Sequence, residues 1–546
     1  MKSSVLLPAG LCALFVLALT PGARAAAPAA PPNFLVILAD DMGYSDAGCY
    51  GGEIQTPNLD RLAANGLRFT QFYNTARCWP SRACILTGYY AQQVRRDAMP
   101  GAGGGGQGRR PAWARLLPEL LQPLGYRSYH SGKWHVDGPV LAGGFARSYS
   151  LNDHDRYFGP KQHTLDDQPL PEPKPEEGYY ATTAIARHAI DMLAEHHARH
   201  RDQPFFLYLA FTAPHFPLHA LPEDLALYQN RYTAGWEVVR QERFERLKQL
   251  GLVNCSLSAP DPKTAPSWNL SPARLAELIG PGEAAYALPW TSLTAEQKQF
   301  QPVKMALHAA MIHRMDLEIG RVLAQLERMG VWDNTVVFFA SDNGASAEQI
   351  IRGDRHDPHR PPGSAGTFLS LGPGWSTAAN TPFRLHKSWV HEGGISTPLI
   401  VHWPAGIRAR GELRHNPGHF IDLPPTILEL AGGKWPREFN GQPVPPPPGR
   451  SLVPAFARDG SVKHDYLWWF HDGNKAIRVG HWKLVADHQG PWELYNLKTD
   501  RAETLDLAPK RPAKVKELER AWNQRLEEFK ALAARDQPAG SRTRQQ

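Results

Sequence analysis

The sequence predicts an α/β fold: a large mixed, mostly parallel sheet sandwiched by helices, with a smaller C-terminal subdomain of antiparallel sheet plus helix. Three observations carry that expectation. β-Branched and aromatic runs stop abruptly at polar residues in three places, as parallel strands buried on both faces do. Amphipathic helical stretches lie between those runs. Beyond a proline-rich stretch the pattern changes to short strands followed by one long helix.

Taken in order, the three runs are Asn33 to Ala39, Pro204 to Phe211 and Thr335 to Ala340, and a further strand is expected through Pro398 to Trp403. The helical stretches are Asn58 to Asn65, Ala112 to Leu124, Ala181 to His196 and Met305 to Met329. Three segments interrupt the alternation: Gly-rich Pro100 to Arg110, the acidic, Pro-rich Asp166 to Glu177, and a long irregular insertion from Leu221 to Gln299. Loops of such length are lids or disordered segments. The prolines between Gly441 and Gly449 read as a stiff linker. After them come strands at Tyr466 to Phe470, Lys475 to Val479, Trp482 to Val485 and Trp492 to Leu497, and a helix from Pro512 to Ala534. The expected division is a signal peptide at 1–25, a catalytic domain at 32–440, a C-terminal subdomain at 450–535 and a disordered tail at 536–546.

The chain begins with Lys2, an apolar run from Val5 to Leu19 and Ala23-Arg24-Ala25, the charge, apolar stretch and small-residue cleavage site of a secretory leader. Export to a periplasm or the exterior is therefore expected. The run is too short for a spanning helix, which takes about 20 apolar residues, so no stable membrane anchor is expected. Cys12 follows Leu11 rather than a small residue, which argues against a lipid anchor. The net charge of +7 is modest and its Lys and Arg residues are scattered, so a nucleic-acid partner is not expected. Outside the leader only Cys49, Cys78, Cys84 and Cys255 remain, too few for a disulfide framework.

Ligands of open α/β sheets gather beyond the carboxyl ends of the strands. Asp40-Asp41 follows the first run, His215 the second and Asp342-Asn343 the third. Asp40-Asp41 alone reads more commonly as a turn and helix cap. Together, three carboxylates and an amide oxygen make a hard, all-oxygen site suited to calcium, or less well magnesium, and unsuited to zinc. Pro80 fits the first turn of a helix and would put residue 78 at its positive end, where a developing anion is stabilised. The plainer reading of Cys78 is a buried thiol or a disulfide to Cys84.

The segment Cys78-Trp79-Pro80-Ser81-Arg82-Ala83-Cys84-Ile85-Leu86-Thr87-Gly88 resembles, at every fixed position, the sulfatase signature C-x-P-S-R-x-x-x-L-T-G. Gly132-Lys133-Trp134-His135 resembles that family's G-K-W-H element, and Pro214-His215-Phe216-Pro217 its sulfate-contacting histidine. Asn380 to Lys387 with Val390 to Ile395 is similar to the segment bearing its last lysine, for which Lys387 is chosen over Arg384. The likeness spans Pro32 to about Leu430 and reappears at Ala476 to Leu484.

The resemblance implies an alkaline phosphatase-like fold and hydrolysis of sulfate esters through a formylglycine-sulfate intermediate, inorganic sulfate being released. Cys78 would be oxidised to formylglycine by a formylglycine-generating enzyme. Asp40, Asp41, Asp342 and Asn343 would hold the metal, with residue 78 completing the shell. Arg82 and Lys133 would neutralise charge, His135 would take a proton from the second hydroxyl, and His215 and Lys387 would contact the ester and assist the leaving alcohol. The substrate would be a sulfated carbohydrate or an aryl sulfate. Lys133 and His135, alternating along an extended segment, would share one face while Trp134 enters the core. A serine contact on sulfate, Ser148 or Ser150, stays unassigned, and Arg147, His154, His163, His219, Arg352, His356, His359 and Arg360 are candidate readers of further anionic groups. Two other readings stay open here: a phosphonate or phosphate ester hydrolase on the same scaffold, and a non-catalytic, calcium-dependent glycan-binding protein.

Overall fold

The computed structural model describes residues 1, 30–99 and 105–535; the segment expected to be a leader, the first part of the Gly-rich segment and the C-terminal tail lie outside them. The principal elements are β1 (Asn33–Ala39), α1 (Pro57–Ala64), β2 (Leu67–Tyr73), α2 (Cys78–Thr87), β3 (Arg127–Gly132), β4 (Arg147–Leu151), α3 (Ala181–Arg199), β5 (Phe205–Ala210), α4 (Trp236–Gln249), α5 (Ala295–Arg328), β6 (Thr335–Ser341) and β7 (Ser396–His402). The C-terminal part contributes β8 (Leu467–His471), β9 (Asn474–Val479), β10 (Trp482–Ala486), β11 (Glu493–Asn496) and α6 (Pro512–Ala533).

The main sheet has 11 strands, and its centre runs β2-β7-β6-β1-β5-β3-β4. From β6 through β4 all neighbours are parallel. Strand β7 is antiparallel to both β6 and β2, so β2 points the same way as the central strands and β7 the opposite way. Alternate residues of β1 enter two different cores: Leu35 and Ile37 pack beneath α1, α3, α4 and α5, while Phe34, Val36 and Leu38 pack with α2, α6 and the C-terminal sheet. Burial on both faces explains the unbroken apolar runs.

Strands β8 to β11 form a 4-stranded antiparallel sheet. Its Leu467, Trp469 and Val485 share a core with Tyr73, Val390 and Ile395 of the main body. The stretch expected to be a stiff linker is packed down: residues Glu438–Phe439 and Gln442–Pro443 pair as a hairpin, and the Tyr89 hydroxyl donates to the Pro445 carbonyl.

Several sequence expectations are corrected. The helix expected over Ala112 to Leu124 is only Leu117–Leu121 plus a 3₁₀ turn at Gln122–Leu124, because Pro118 starts it and Pro123, lacking an N–H, tightens its end. Helix α5 starts ten residues earlier than expected, where Thr294 and Gln297 cap each other's backbone, and it absorbs Pro302 in its interior. The long insertion is not wholly irregular, since it carries Pro222–Ala226, α4 and Pro272–Leu278. The G-K-W-H element is not extended: β3 ends at Gly132, with φ at +119°, and His135 has φ at +55°. A Cβ on Gly132 would lie 1.9 Å from the Ala210 carbonyl oxygen, so only glycine lets the chain turn there against β5. Trp134 does enter the core, 5% exposed.

Candidate active site

The strand directions gather the site. Five parallel strands and β2 present their carboxyl ends on one edge of the sheet, and β7 presents its amino end there. Asp40 and Asp41 follow β1, and Asp342 and Asn343 follow β6; Ala39 and Ser341 are partners in register, and the Asp342 N–H donates to the Ala39 carbonyl at 3.0 Å. Lys133 follows β3, and its N–H donates to Ala210 of β5 at 2.8 Å. Cys78 follows β2 as the first residue of α2, which begins after Arg77 in extended backbone. His154 follows β4, His215 follows β5, and Lys387 precedes β7. The left-handed region holds five non-glycine residues of this edge, Asp41, Ala76, His135, Leu385 and Ser388, with φ of 67°, 62°, 55°, 65° and 80°. Backbone strain of this kind collects where a fixed side-chain constellation is held by its surroundings.

At the centre Arg82 is fully buried. Its Nε and Nη2 donate to Asp342 Oδ2 at 3.0 and 2.8 Å, Nη2 also to Asp40 Oδ2 at 3.1 Å, and Nη1 to the Lys133 carbonyl at 2.8 Å. Lys133 Nζ donates to Asp40 Oδ2 at 2.5 Å. Lys387 Nζ sits 2.8 Å from Asp41 Oδ1 and 3.2 Å from Glu348 Oε2, and the Asn343 amide donates to Asp41 Oδ1 at 2.6 Å. His215 Nδ1 donates to the Phe216 carbonyl at 2.5 Å, leaving Nε2 3.8 Å from Asp41 Oδ2. The rings of His135, His154 and His215 stand in a row, 5.5 and 5.1 Å between centroids.

The electrostatics are those of acids pressed together. Burial pushes the Asp342 carboxyl up to about 7, with Asp40 adding to the effect. Asp41 is raised as well, by burial and by Asp40 and Glu348 against the pull of Lys387. Burial opposes charge on Asp40 too, but Lys133 and Arg82 bring it below the usual carboxylate range. Burial, with Lys133 and His154, keeps His135 neutral. The Cys78 thiol is raised by burial although Lys133 and Lys387 pull it down.

Two oxygens of this cluster, Asp40 Oδ1 and Asn343 Oδ1, are buried with no hydrogen-bond partner. Orphaned acceptors of that kind are costly in a folded protein. They belong to the residues expected to bind metal, and carboxylates from Asp40 and Asp41 lie with His215 close enough to share one ion. Oxygen donors, mutual repulsion and missing partners all fit a hard divalent cation.

All ten residues singled out from the sequence therefore lie on this edge of the sheet. Arg384, the rival to Lys387, instead pairs with Glu493 at 2.8 Å and donates to the Tyr495 hydroxyl of the C-terminal sheet. The described cysteines are all free, so Cys78 and Cys84 form no disulfide. Ser148 is occupied by His130 Nδ1 at 2.9 Å, and Ser150 hydrogen-bonds Asn152 at 3.3 Å. Of the candidate rim readers, His154 joins the centre, and Arg352 stays near it, pairing with Asp155 at 2.8 Å. Arg147 is taken by Asp166 and Glu195, and His219 donates to the Thr367 carbonyl at 2.7 Å. Sequence reasoning missed Glu348, 2% exposed, which links Lys387 to Arg77. A single glutamate five residues past Asn343 leaves no local signal.

A mixed, mostly parallel sheet with this charge constellation on its carboxyl edge suits a hydrolase of anionic esters. The Sulfatase family model matches residues 32–433, and the model for the C-terminal part of N-sulphoglucosamine sulphohydrolase matches residues 383–531. The chain belongs to the sulfatase family and hydrolyses sulfate esters. It is 34% identical over 538 residues to an uncharacterised sulfatase of Schizosaccharomyces pombe, covering 90% of this chain and 92% of that one. An arylsulfatase of Klebsiella aerogenes is 30% identical over 458 residues, covering 77% and 91%. The crystal structure of Ps i-CgsB superposes with a TM-score of 0.63 at 25% identity, covering 91% of this chain and 93% of that one.

Proposed function

We propose that this sulfatase works with Cys78 oxidised to formylglycine and with calcium held by Asp40, Asp41, Asp342 and Asn343, and that it acts outside the cytoplasm on a sulfated carbohydrate or an aryl sulfate. The observation that carries the reading is the placement of Cys78, buried at the amino end of α2, in the field of Lys133, Lys387, Asp40 and Asp342. The leader-like pattern from Lys2 to Ala25 supports export, and maturation calls for a formylglycine-generating enzyme as a transient partner.

A hydrated formylglycine would supply two hydroxyls on one carbon, one to attack sulfur and the other to drive sulfate out afterwards. A bound cation would supply positive charge to the ester's oxygens. The chain's own residues do the rest. Arg82 holds Asp342 and Asp40 fixed, so the oxygens meant for the metal need no reorganisation. The Lys133 ammonium, anchored on Asp40, and the Lys387 ammonium, anchored on Asp41 and Glu348, neutralise the sulfate oxygens. Burial disfavours charge on Lys387, yet Asp41 and Glu348 hold its proton firmly. Commitment of His215 Nδ1–H to Phe216 aims Nε2 at the reaction centre; burial, with Lys387 and Lys133 beside it, keeps that ring neutral, so Nε2 offers a lone pair that orients the reacting groups, and the Lys387 ammonium hands the proton to the departing alcohol oxygen. His135, kept neutral, accepts the proton of the second hydroxyl.

The test is mass spectrometry of the peptide containing Cys78 from protein made in its own host, together with sulfate release from 4-nitrophenyl sulfate and from sulfated sugars. The expected mass change is loss of hydrogen sulfide and gain of oxygen, with Cys78→Ala giving no release. An active protein whose Cys78 is wholly unmodified would sink the formylglycine reading.

A further inference from the structure

Arg77, the residue before Cys78, is layered between two indoles. Its guanidinium carbon lies 5.3 Å from the Trp79 ring and 5.5 Å from the Trp268 ring. Trp268 comes from the long insertion, and it is the sole aromatic among the large exposed hydrophobics of the described residues, 42% exposed. It is nevertheless pinned. Its Nε1 donates to Glu348 Oε1 at 2.9 Å, the same oxygen that receives Arg77 Nη2 at 3.0 Å, while Glu348 Oε2 faces Lys387 at 3.2 Å. The next two residues are tied to the loop that follows the metal pair. Asn269 donates to the Ala347 carbonyl at 3.0 Å and accepts from the Gln349 N–H at 2.9 Å, and the Leu270 N–H donates to the Gln349 carbonyl at 3.0 Å.

A solvated loop has no need of this many anchors, and a tryptophan serving only as packing would be buried. Here the anchors fix the ring's polar edge and one face, and leave apolar surface in water one guanidinium away from the residue next to Cys78. Fixed, exposed aromatic surface beside a reacting centre is a platform for a flat apolar partner.

We propose that Trp268 is a specificity-determining residue of this sulfatase, its indole stacking on the flat apolar face of a ring carried by the alcohol half of the ester, with Glu348 as the positioning residue that seats the ring. The inference deepens the reading of the site as a sulfate-ester site and rests on it. Two ring chemistries share that flat face, an aryl ring and the C–H face of a pyranose. The charged sulfate remains with the lysines, so Trp268 acts on the alcohol alone and its effect falls on binding more than on the chemical step.

The experiment compares wild type, Trp268→Ala and Trp268→Phe on 4-nitrophenyl sulfate, a pyranose 6-sulfate and a short acyclic alkyl sulfate, with Kd of each ester measured calorimetrically beside KM and kcat. The expected result is a rise in KM and Kd of about tenfold for at least one ring ester in Trp268→Ala. The acyclic ester should stay within about twofold, and Trp268→Phe should keep most of the ring preference, since it retains a stacking face without the Nε1 bond. A rise confined to the aryl ester assigns the platform to aryl alcohols, and one confined to the pyranose ester assigns it to sugars. Equal losses on all three esters, or unchanged ring binding in Trp268→Ala, would overturn the proposal. Absence of sulfate release by wild type with a Trp268-dependent Kd for ring esters would count against the catalytic reading and uphold this one.

Discussion

Two buried charge clusters lie at opposite ends of the segment from Lys387 to Ile395, and they are built on different principles. At the catalytic edge, carboxylates from two adjacent strands are pressed together, Asp342 is pushed up to about 7 by burial and by Asp40, and two oxygens have no partner. At the joint between the main body and the C-terminal sheet, Glu392 is just as buried, yet it receives Lys483 at 3.0 Å, Arg501 at 3.1 Å and the Tyr73 hydroxyl at 3.0 Å. Lys483 also pairs with Glu503 at 2.7 Å. Burial opposes the Glu392 charge, but Lys483, Arg501 and Arg478 bring its pKa down to about 2. Glu392, with both carboxylate oxygens met by cations, makes a structural tie; acids crowded against one another with unpaired oxygens mark a place prepared for something that is not protein. The difference separates function from stability inside one continuous fold.

The sharpest way to break this comparison is to strip metal. Chelation should lower sulfate release by at least about 100-fold, with calcium restoring it, because charge stabilisation at a reacting oxyanion is worth factors of that size. Activity that survives exhaustive chelation, checked by elemental analysis of the stripped protein, would show that the crowded cluster tolerates its own repulsion.

Next in size is the effect of Glu392→Gln. Removing one partner of a buried, paired network leaves Lys483 and Arg501 with too little opposing charge, at a cost of about 3–5 kcal/mol. Denaturant unfolding measures that loss, while the specific activity of the folded fraction should stay within about threefold, since Glu392 touches none of the groups at the metal edge. A variant that unfolds normally but has lost its activity would erase the distinction between the clusters.

The smallest effect is a pH dependence. The folded-state pKa of Glu392, about 2, lies below its ordinary value of 4.5, so its stabilisation is fully present above about pH 4.5 and is lost as pH falls through 2. The stability gap between wild type and Glu392→Gln should therefore be flat near neutrality and close between those values in acid-unfolding curves. A gap that closes with rising pH instead would mean the carboxyl is held protonated.

Much of the centre was legible because its signals are local. Cys78 to Gly88 is one contiguous motif, and Asp40-Asp41 and Asp342-Asn343 each stop an apolar run at a strand's carboxyl end. Lys387 and Arg384 were separable only by their partners, Asp41 in one case and Glu493 in the other. The extended reading of Lys133 to His135 failed at Gly132, whose φ of +119° turns the chain away from the strand. The early start of α5 was hidden by Pro302, which ordinarily ends a helical pattern.

By itself the sequence determined the alternation of strands and helices, the motif around Cys78 and the acidic residues at the strand ends, since periodicity and contiguous motifs reside within a few neighbouring residues. The tertiary structure alone decided that β1 and β6 are adjacent and in register, which brings Asp40 and Asp342 to one arginine and lets the Asn343 amide reach Asp41 across 302 residues of sequence. It also decided that Glu348 stands beside Lys387 and that His154, one of several rim candidates, lies between His135 and His215. Strand order and the docking of an insertion are set by which faces can be buried together, a property of the whole chain that no short stretch of it encodes.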